Sequence, residues 1–183
     1  MDYSALFPFP KLENERLVLR EIELSDAPAM FGLYANPEVT KYTGRDPILD
    51  IKEIYDKIKL IKSSYYSENG ISWAITLKGS DEYIGSIGLW RFIKEHNRAE
   101  IGYQLNPVHW NSGIMTEAMT MIIDFGFNKL KLHSIEANTD KDNIATRKVL
   151  EKNGFIQEAH FKENYLFNGI YLDSVIFSLV NKS

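Results

Sequence analysis

Three stretches with the patterning of β-strands follow one another between residues 72 and 106: "SWAITL", "YIGSIGLWRF" and "RAEIGYQLN". Only short polar turns separate them, Gly79-Ser80-Asp81 and then "KEHN". Neither turn can carry a helix over a sheet, so the three are expected to pair antiparallel as a meander. The rest of the chain must build on that sheet.

The flanks extend it. "RLVLRE", from Arg16 to Glu21, alternates with Leu17 and Leu19 on one side and reads as a half-buried strand. Ser25 stands before Asp26, Ala27 and Pro28 as an expected N-cap, for a helix running to about Ala35 and stopped by Asn36-Pro37. Ile51, Ile54, Ile58 and Ile61 recur at helical spacing, so a second helix is expected from about Asp50 to near Tyr66. Beyond the meander come a helix from about Met115 to Asn128, the strand "HSIEANT", and a helix "NIATRKVLEKNG" closed by Gly154. "FIQEAHFKENYLF" and "YLDSVIFSLV" then form a hairpin around Asn168-Gly169. The order β-α-α-β-β-β-α-β-α-β-β predicts one α+β domain over residues 1–183, with a mostly antiparallel sheet.

Composition removes several functions. A chain of 183 residues with 44% apolar content can bury one real core, and its net charge of -4 gives no reason to expect nucleic acid or an anionic membrane as partner. Cysteine is absent, which removes disulfides, thiolate zinc sites and cysteine nucleophiles and fits a reducing compartment. "MDYSALFPFPKLENERL" has no basic segment followed by an apolar run, so no signal peptide is expected, and no stretch nears the roughly 20 apolar residues of a membrane span. A cytoplasmic location is expected. The histidines at 96, 109, 133 and 160 form no HxxxH or HExxH pair, and no metal site is expected.

One stretch points to chemistry: "NPVHWNSGIMTEAMTMIIDFGF", residues 106–127. The first N–H groups of a helix lack internal partners, and the helix dipole adds positive potential there. A tight turn into such a terminus aims backbone amides at a phosphate cluster. Asn111, Ser112, Gly113, Ile114 and Met115 can supply those amides, and Gly113 lets a ligand approach. An ordinary strand-to-helix turn has the same look. No GxxxxGK[ST] is present and no GxGxxG follows the first strand, which argues against a P-loop and a dinucleotide fold. Gly85 and Gly88 fall inside a strand, where close packing or a bend explains them.

In order, "RLVLRE", "WAI", "YIGSIGL", "AEIGYQLNPVHWNSGIMTEAM" and "ANTDKDNIATRKVLEKNGF" resemble the GNAT acetyltransferase superfamily, and within it the Rim-type ribosomal-protein-alanine N-acetyltransferases. The resemblance covers nearly the whole chain and is most specific over residues 100–155. It implies a three-layer α/β/α fold whose sheet contains a splayed parallel strand pair, with acetyl-CoA in the V-shaped opening and CoA as product. It places the pyrophosphate on the amides of 111–116. The implied cofactor set is Leu105, Asn111, Ser112, Gly113, Ile114, Met115, Thr116, Asn138, Asn143 and Arg147. Three positions depart from the superfamily pattern. Trp110 opens the loop, as is frequent in the Rim branch, Met115 stands where a small residue is usual, and Leu150 occupies the place of a tyrosine that protonates the leaving thiolate.

Transfer to an amine needs a neutral nitrogen, a stabilised oxyanion and a route for the proton. An α-amine, with a pKa near 7.7–8.0, needs only modest base assistance. Glu100, in the third meander strand, is the candidate base, directly or through water; beside Arg98 it also reads as an ion-paired strand glutamate. Thr146 lies three residues after Asn143 on one helix face, placed for its hydroxyl to meet the CoA sulfur or simply to face solvent. Asn143 reads both as a contact to the pantetheine amides and as an N-cap. Tyr103 has the opposite strand parity to Glu100 and is assigned to core packing. Tyr34, Tyr42, Tyr65, Tyr66, Tyr165 and Tyr171 fall in the segments expected to wall the acceptor side, where amphipathic rings suit a peptide or small-molecule groove and equally a dimer face or plain core. The acceptor is expected to be a protein N-terminal α-amine, with a small amine or antibiotic, or a catalytically silent acyl-CoA binder, as alternatives. A monomer or homodimer is expected.

Overall fold

The computed structural model describes residues 1–182. Strands β1 (Leu12–Glu13) and β2 (Leu17–Glu21) lead into helices α1 (Ala27–Tyr34), α2 (Pro37–Thr40) and α3 (Ile51–Tyr66). The meander follows as β3 (Ile71–Leu77), β4 (Gly85–Ile93) and β5 (Arg98–Leu105). Then come α4 (Ile114–Asp124), prolonged by a π-helical turn at Phe125–Lys129, β6 (Ser134–Asp140), α5 (Ile144–Lys152), β7 (Ile156–Phe167) and β8 (Ile170–Val180). All eight strands form one sheet in the order β1-β2-β3-β4-β5-β6-β8-β7. Every neighbouring pair is antiparallel except β5 and β6, which α4 joins as a crossover. The expected α+β fold with a mixed, mostly antiparallel sheet is the observed one.

Strand alternation sends two apolar sets to opposite faces. Ala74 meets Ile22, Met30, Leu33, Ile54 and Ile58 under α1 and α3. On the other face Trp73, Ile75, Ile87, Leu89 and Ile101 pack with Met119, Ile122, Phe125 and Leu150 from α4, the π-turn and α5. Gly88 keeps β3 and β4 close, because a Cβ there would stand 2.5 Å from the Ser72 Oγ and 2.6 Å from the Ile71 carbonyl oxygen.

The ends of several elements follow from capping. Asp50 accepts the Lys52 N–H at 2.9 Å while Glu53 reaches back to Asp50, a reciprocal cap that starts α3. Gly154, with φ 84°, closes α5, and the Phe155 N–H returns to the Leu150 carbonyl at 3.1 Å. At α1 the expected Ser25 cap is replaced. A 3₁₀ turn, Leu24–Asp26, precedes the helix, and Asp26 accepts the Glu23 N–H at 2.8 Å while Arg20 grips its two oxygens at 2.8 Å each. The charge-assisted bonds from Arg20 fix Asp26, and with it the turn that leads into the helix. Asn36 does double service, ending α1 and capping the short α2 by accepting the Glu38 N–H at 2.9 Å.

Candidate active site

β5 and β6 pair only at Arg98–Ser134, Ala99–Ile135 and Glu100–Glu136. Both strands continue, β5 to Leu105 and β6 to Asp140, but beyond Glu100 they share no ladder. Their facing backbone edges are therefore left without each other as partners. A cleft of about 350 Å³ fills the opening and passes through the sheet. Glu100 and Gln104 reach it from the face under α1 and α3, whereas Ile101 and Tyr103 reach it from the opposite face.

Glu100 is 9% exposed and accepts a hydrogen bond from the Arg91 Nη1 at 2.9 Å. A register shift between Trp90 and Ile93 bulges β4, with Arg91 at φ 46°, and turns that guanidinium onto the carboxylate. Its partner is thus Arg91 on the neighbouring strand, while Arg98 pairs with Glu136 at 2.7 Å. Burial raises the Glu100 pKa above its ordinary value; Arg91 opposes that shift and the nearby Glu136 carboxylate adds to it. A carboxylate held this way is a better proton acceptor than a free one.

Thr146, Asn143 and Asn138 line the same cleft. Asn143 caps α5, its side-chain oxygen accepting the Thr146 N–H at 3.1 Å, so the cap is made by Asn143 itself and its amide N–H₂ is what remains for an occupant. Tyr103 packs against the core, as expected, and also borders the cleft. Its ring lines the cleft and its hydroxyl donates to the Thr146 carbonyl at 3.3 Å, with burial pushing the phenol well above its ordinary pKa. Parity is obeyed; the opening between the strands makes both faces of β5 accessible from one cavity. Gln104, also in the wall, has a buried Oε1 without a protein partner.

Residues 111–116 stand just past the end of β5, outside the cavity wall proper. Gly113 is the N-cap of α4 with φ 83°, and no side chain caps that terminus. A Cβ on Gly113 would meet only the Arg16 Nη1, at 4.0 Å, so its outer face is open. Arg16 braces the loop from β2's side, bonding Glu117 at 2.6 Å and the Ser112 carbonyl at 3.3 Å. Asn111 adopts φ 59°, and the Ser112 hydroxyl donates to the His109 carbonyl at 2.5 Å. Ile114 and Met115 point into the core, Met115 being only 6% exposed, so the long side chain leaves the helix mouth clear. Thr116 sits in the first turn of α4, its carbonyl accepting the Thr120 hydroxyl at 3.0 Å.

Two further residues of the implied cofactor set bond within the protein. Leu105 is packed in the core, and its carbonyl accepts the Trp110 Nε1 at 2.8 Å. Arg147 donates to the Lys141 carbonyl at 3.0 Å and to the Gln157 Oε1 at 3.3 Å, tying α5 to β6's exit and to β7. Leu150 is fully buried.

The acceptor-side wall comes from α1, α3 and the segment between them. Tyr34, Tyr42, Arg45 and Lys57 line it. Tyr165, near the tip of the β7–β8 hairpin, donates its hydroxyl to the Gly44 carbonyl at 2.9 Å and straps that segment down. Tyr65 packs inward, donating to the Leu6 carbonyl at 2.8 Å, and Tyr66 and Tyr171 are exposed. Sequence patterning missed Gln104, Arg45 and Lys57, because nothing local marks a side chain that a distant strand gap exposes.

An uncapped helix N-terminus with open space over a positive-φ glycine, strand edges lacking partners, and an orphaned amide oxygen in the wall fit a diphosphate followed by an amide-bearing arm. A family model described as "Acetyltransferase (GNAT) domain" matches residues 16–156. The chain belongs to the GNAT acetyltransferase family. This GNAT domain is 36% identical to the uncharacterized N-acetyltransferase YoaA of Bacillus subtilis, over 94% of this chain and 97% of that one. Among solved structures it resembles a spermidine N-acetyltransferase from Vibrio cholerae in complex with CoA and spermine (TM-score 0.80, 23% identity, covering 91% and 96% of the two chains). It also resembles RimL, a ribosomal L7/L12 alpha-N-protein acetyltransferase in complex with coenzyme A (TM-score 0.83, 18% identity, 93% and 98%). At those identities the structures speak for the fold. Family membership supports acetyl-CoA as donor and an amine as acceptor for this GNAT domain.

Proposed function

We propose that this GNAT domain acetylates the α-amine at the N-terminus of a protein, by direct attack on acetyl-CoA in a ternary complex. The observation that carries the reading is the through-sheet cleft, with Glu100 on the acceptor face and Tyr103 on the other. Acetyl-CoA supplies an activated acyl carbon. The amides of Asn111–Thr116 hold its diphosphate, and the amide N–H₂ of Asn143 and the side chain of Asn138 meet the arm.

Glu100, with its raised pKa, takes the proton as the amine nitrogen bonds to the acyl carbon. As the C–S bond breaks, the Tyr103 hydroxyl leaves the Thr146 carbonyl and gives its proton to the departing sulfur, whose basicity the same burial raises, with the Thr146 hydroxyl alongside. Solvent returns the proton from Glu100 to Tyr103, so protons balance over the cycle. Tyr103 thus takes the role that the buried Leu150 leaves open. Support for an α-amine comes from its modest basicity and from Arg45 and Lys57 in the acceptor wall, which oppose a polycation such as spermine.

The test is turnover of acetyl-CoA with N-terminal peptides, lysine side-chain peptides, spermidine and free amino acids, beside calorimetric titration of CoA. Acetylated peptide α-amines support the reading. Turnover of free small amines alone replaces it with small-molecule acetylation, and binding without turnover of any amine makes the domain an acyl-CoA binder.

A further inference from the structure

The acceptor wall holds two cations outside the protein's ion pairs. Arg45 and Lys57 both line the cleft. Among the described residues neither has a carboxylate partner within ion-pair distance. Of the acids that share the cavity, Glu100 is paired with Arg91 at 2.9 Å, and Asp46 lies at the exposed edge, accepting from the neutral Asn168 Nδ2 at 3.1 Å and offsetting part of the positive charge. The Lys57 ammonium lies 4.8 Å from the Tyr34 ring centroid, and burial first, then the neighbouring Arg45 charge, lowers its pKa. Lys57 is half-buried and Arg45 is exposed, so solvent screens part of their repulsion, and an anion seated between them would relieve the rest.

Their positions are fixed from several sides. The Ile48 N–H bonds the Tyr34 carbonyl at 3.1 Å, and the hairpin tip holds Gly44 and Asp46, the two neighbours of Arg45, through Tyr165 and Asn168. Gly44 has φ 62°, and a Cβ there would collide with the Tyr165 ring at 2.5 Å, so strap and wall are in direct contact.

We infer that Arg45 and Lys57 form an anion subsite that reads an acidic side chain at the second or third residue of the acceptor peptide, a specificity that rests on the N-terminal amine reading above. Length selects the peptide. Tyr34 lies beside Ser86, which pairs with Gln104 on β5. Gln104 is four residues from Glu100, roughly 13 Å along an extended strand. A free amino acid carries its carboxylate carbon two bonds from its nitrogen, so it spans far less of that wall than a peptide does. An extended peptide advances about 3.3 Å per residue, and the reach of the side chains on both sides closes the remaining gap. The pair also repels polyamines, whose second amine would face both cations.

The experiment uses C-terminally amidated tetrapeptides, Ser-Asp-Ala-Ala and Ser-Ala-Asp-Ala, against their Asn and Lys counterparts, on the full chain and on Arg45→Gln and Lys57→Met. Both substitutions fall on surface-reaching side chains outside the two cores. The wild type is expected to favour an Asp peptide over its Asn counterpart by at least about tenfold in kcat/KM, and each substitution to bring that ratio toward one. Binding of the same peptides to the CoA-loaded protein, read by calorimetry, must show the same ratio, so the subsite is tested even if no amine is acetylated. Equal binding of Asp, Asn and Lys peptides, or a ratio untouched by the substitutions, overturns the subsite. A parallel loss of CoA affinity in both variants also overturns it, by assigning the cations to the cofactor. Absence of turnover with the Asp preference in binding intact overturns the catalytic reading alone.

Discussion

Glu100 and Tyr103 point to opposite faces of β5 and line one cleft. On a paired strand their parity would keep them apart, one under α1 and α3 and the other against α4 and α5. They share a cavity because β6 leaves β5 after Glu100, so the space that would hold a ladder becomes a passage through the sheet. A proton acceptor on one side and a donor on the other suit a transfer in which one group arrives from one face and another departs on the opposite face.

Glu100→Gln is expected to lower kcat by about 10²-fold, in the range usual for general-base catalysis. In the wild type, kcat/KM should climb as pH rises through the Glu100 pKa, which burial sets above the ordinary carboxylate value. The variant should lose that acidic limb. Stability moves the other way, because a carboxyl whose folded pKa is raised favours the native state below its unfolded pKa and loses that contribution as pH rises through the folded one. The Tm difference, variant minus wild type, should therefore be larger at pH 8 than at pH 4. A pH-independent difference, together with unchanged kcat, would remove Glu100 from the proton path.

Tyr103→Phe removes only the hydroxyl that bonds the Thr146 carbonyl. A proton donor to sulfur matters most when the thiol is a poor leaving group. The variant should lose at least about tenfold in kcat with acetyl-CoA and much less with an acetyl thioester of a more acidic thiol. Equal losses with both donors would mean that the phenol only packs.

Gly113→Asp places a carboxylate over the uncapped terminus of α4, where space is open. Asp tolerates positive φ better than most residues, so folding should survive with a small fall in Tm. CoA affinity should drop at least about tenfold, about 1.4 kcal/mol or more. Dephosphorylated pantetheine, which carries no diphosphate, should bind both forms alike. Undiminished CoA binding would put the diphosphate elsewhere.

Gly88→Ala tests the cleft floor. The added Cβ would stand 2.5 Å from the Ser72 Oγ and 2.6 Å from a backbone oxygen of β3, and the backbone cannot step aside. Overpacking of this kind costs about 1–3 kcal/mol. For a chain of this size that lowers Tm by about 2–4 °C per kcal/mol, measurable by calorimetric melting.

The sequence by itself determined what is local. The alternation of β3 to β5, the start of α3 at Asp50 and the stop at Gly154 depend on neighbours a few residues away, and each is found where patterning put it. Gly113 at the mouth of α4 is of the same kind. What patterning could not hold is any choice decided by a remote partner. Asp26, not Ser25, organises the start of α1 because Arg20 arrives from β2. Arg147 faces Lys141 and Gln157 because β7 returns beside α5, and Met115 fills the core because α4 lies flat on the sheet. Tyr103 packs on the core as its strand parity indicates, and only the parting of β5 from β6 brings it to the cleft as well. Backbone hydrogen bonding and side-chain period act over one turn or one pleat, so they are written in the chain. The width of the gap between two strands, and the charges that face it, arise only when the packed helices on both sides fix how far those strands diverge.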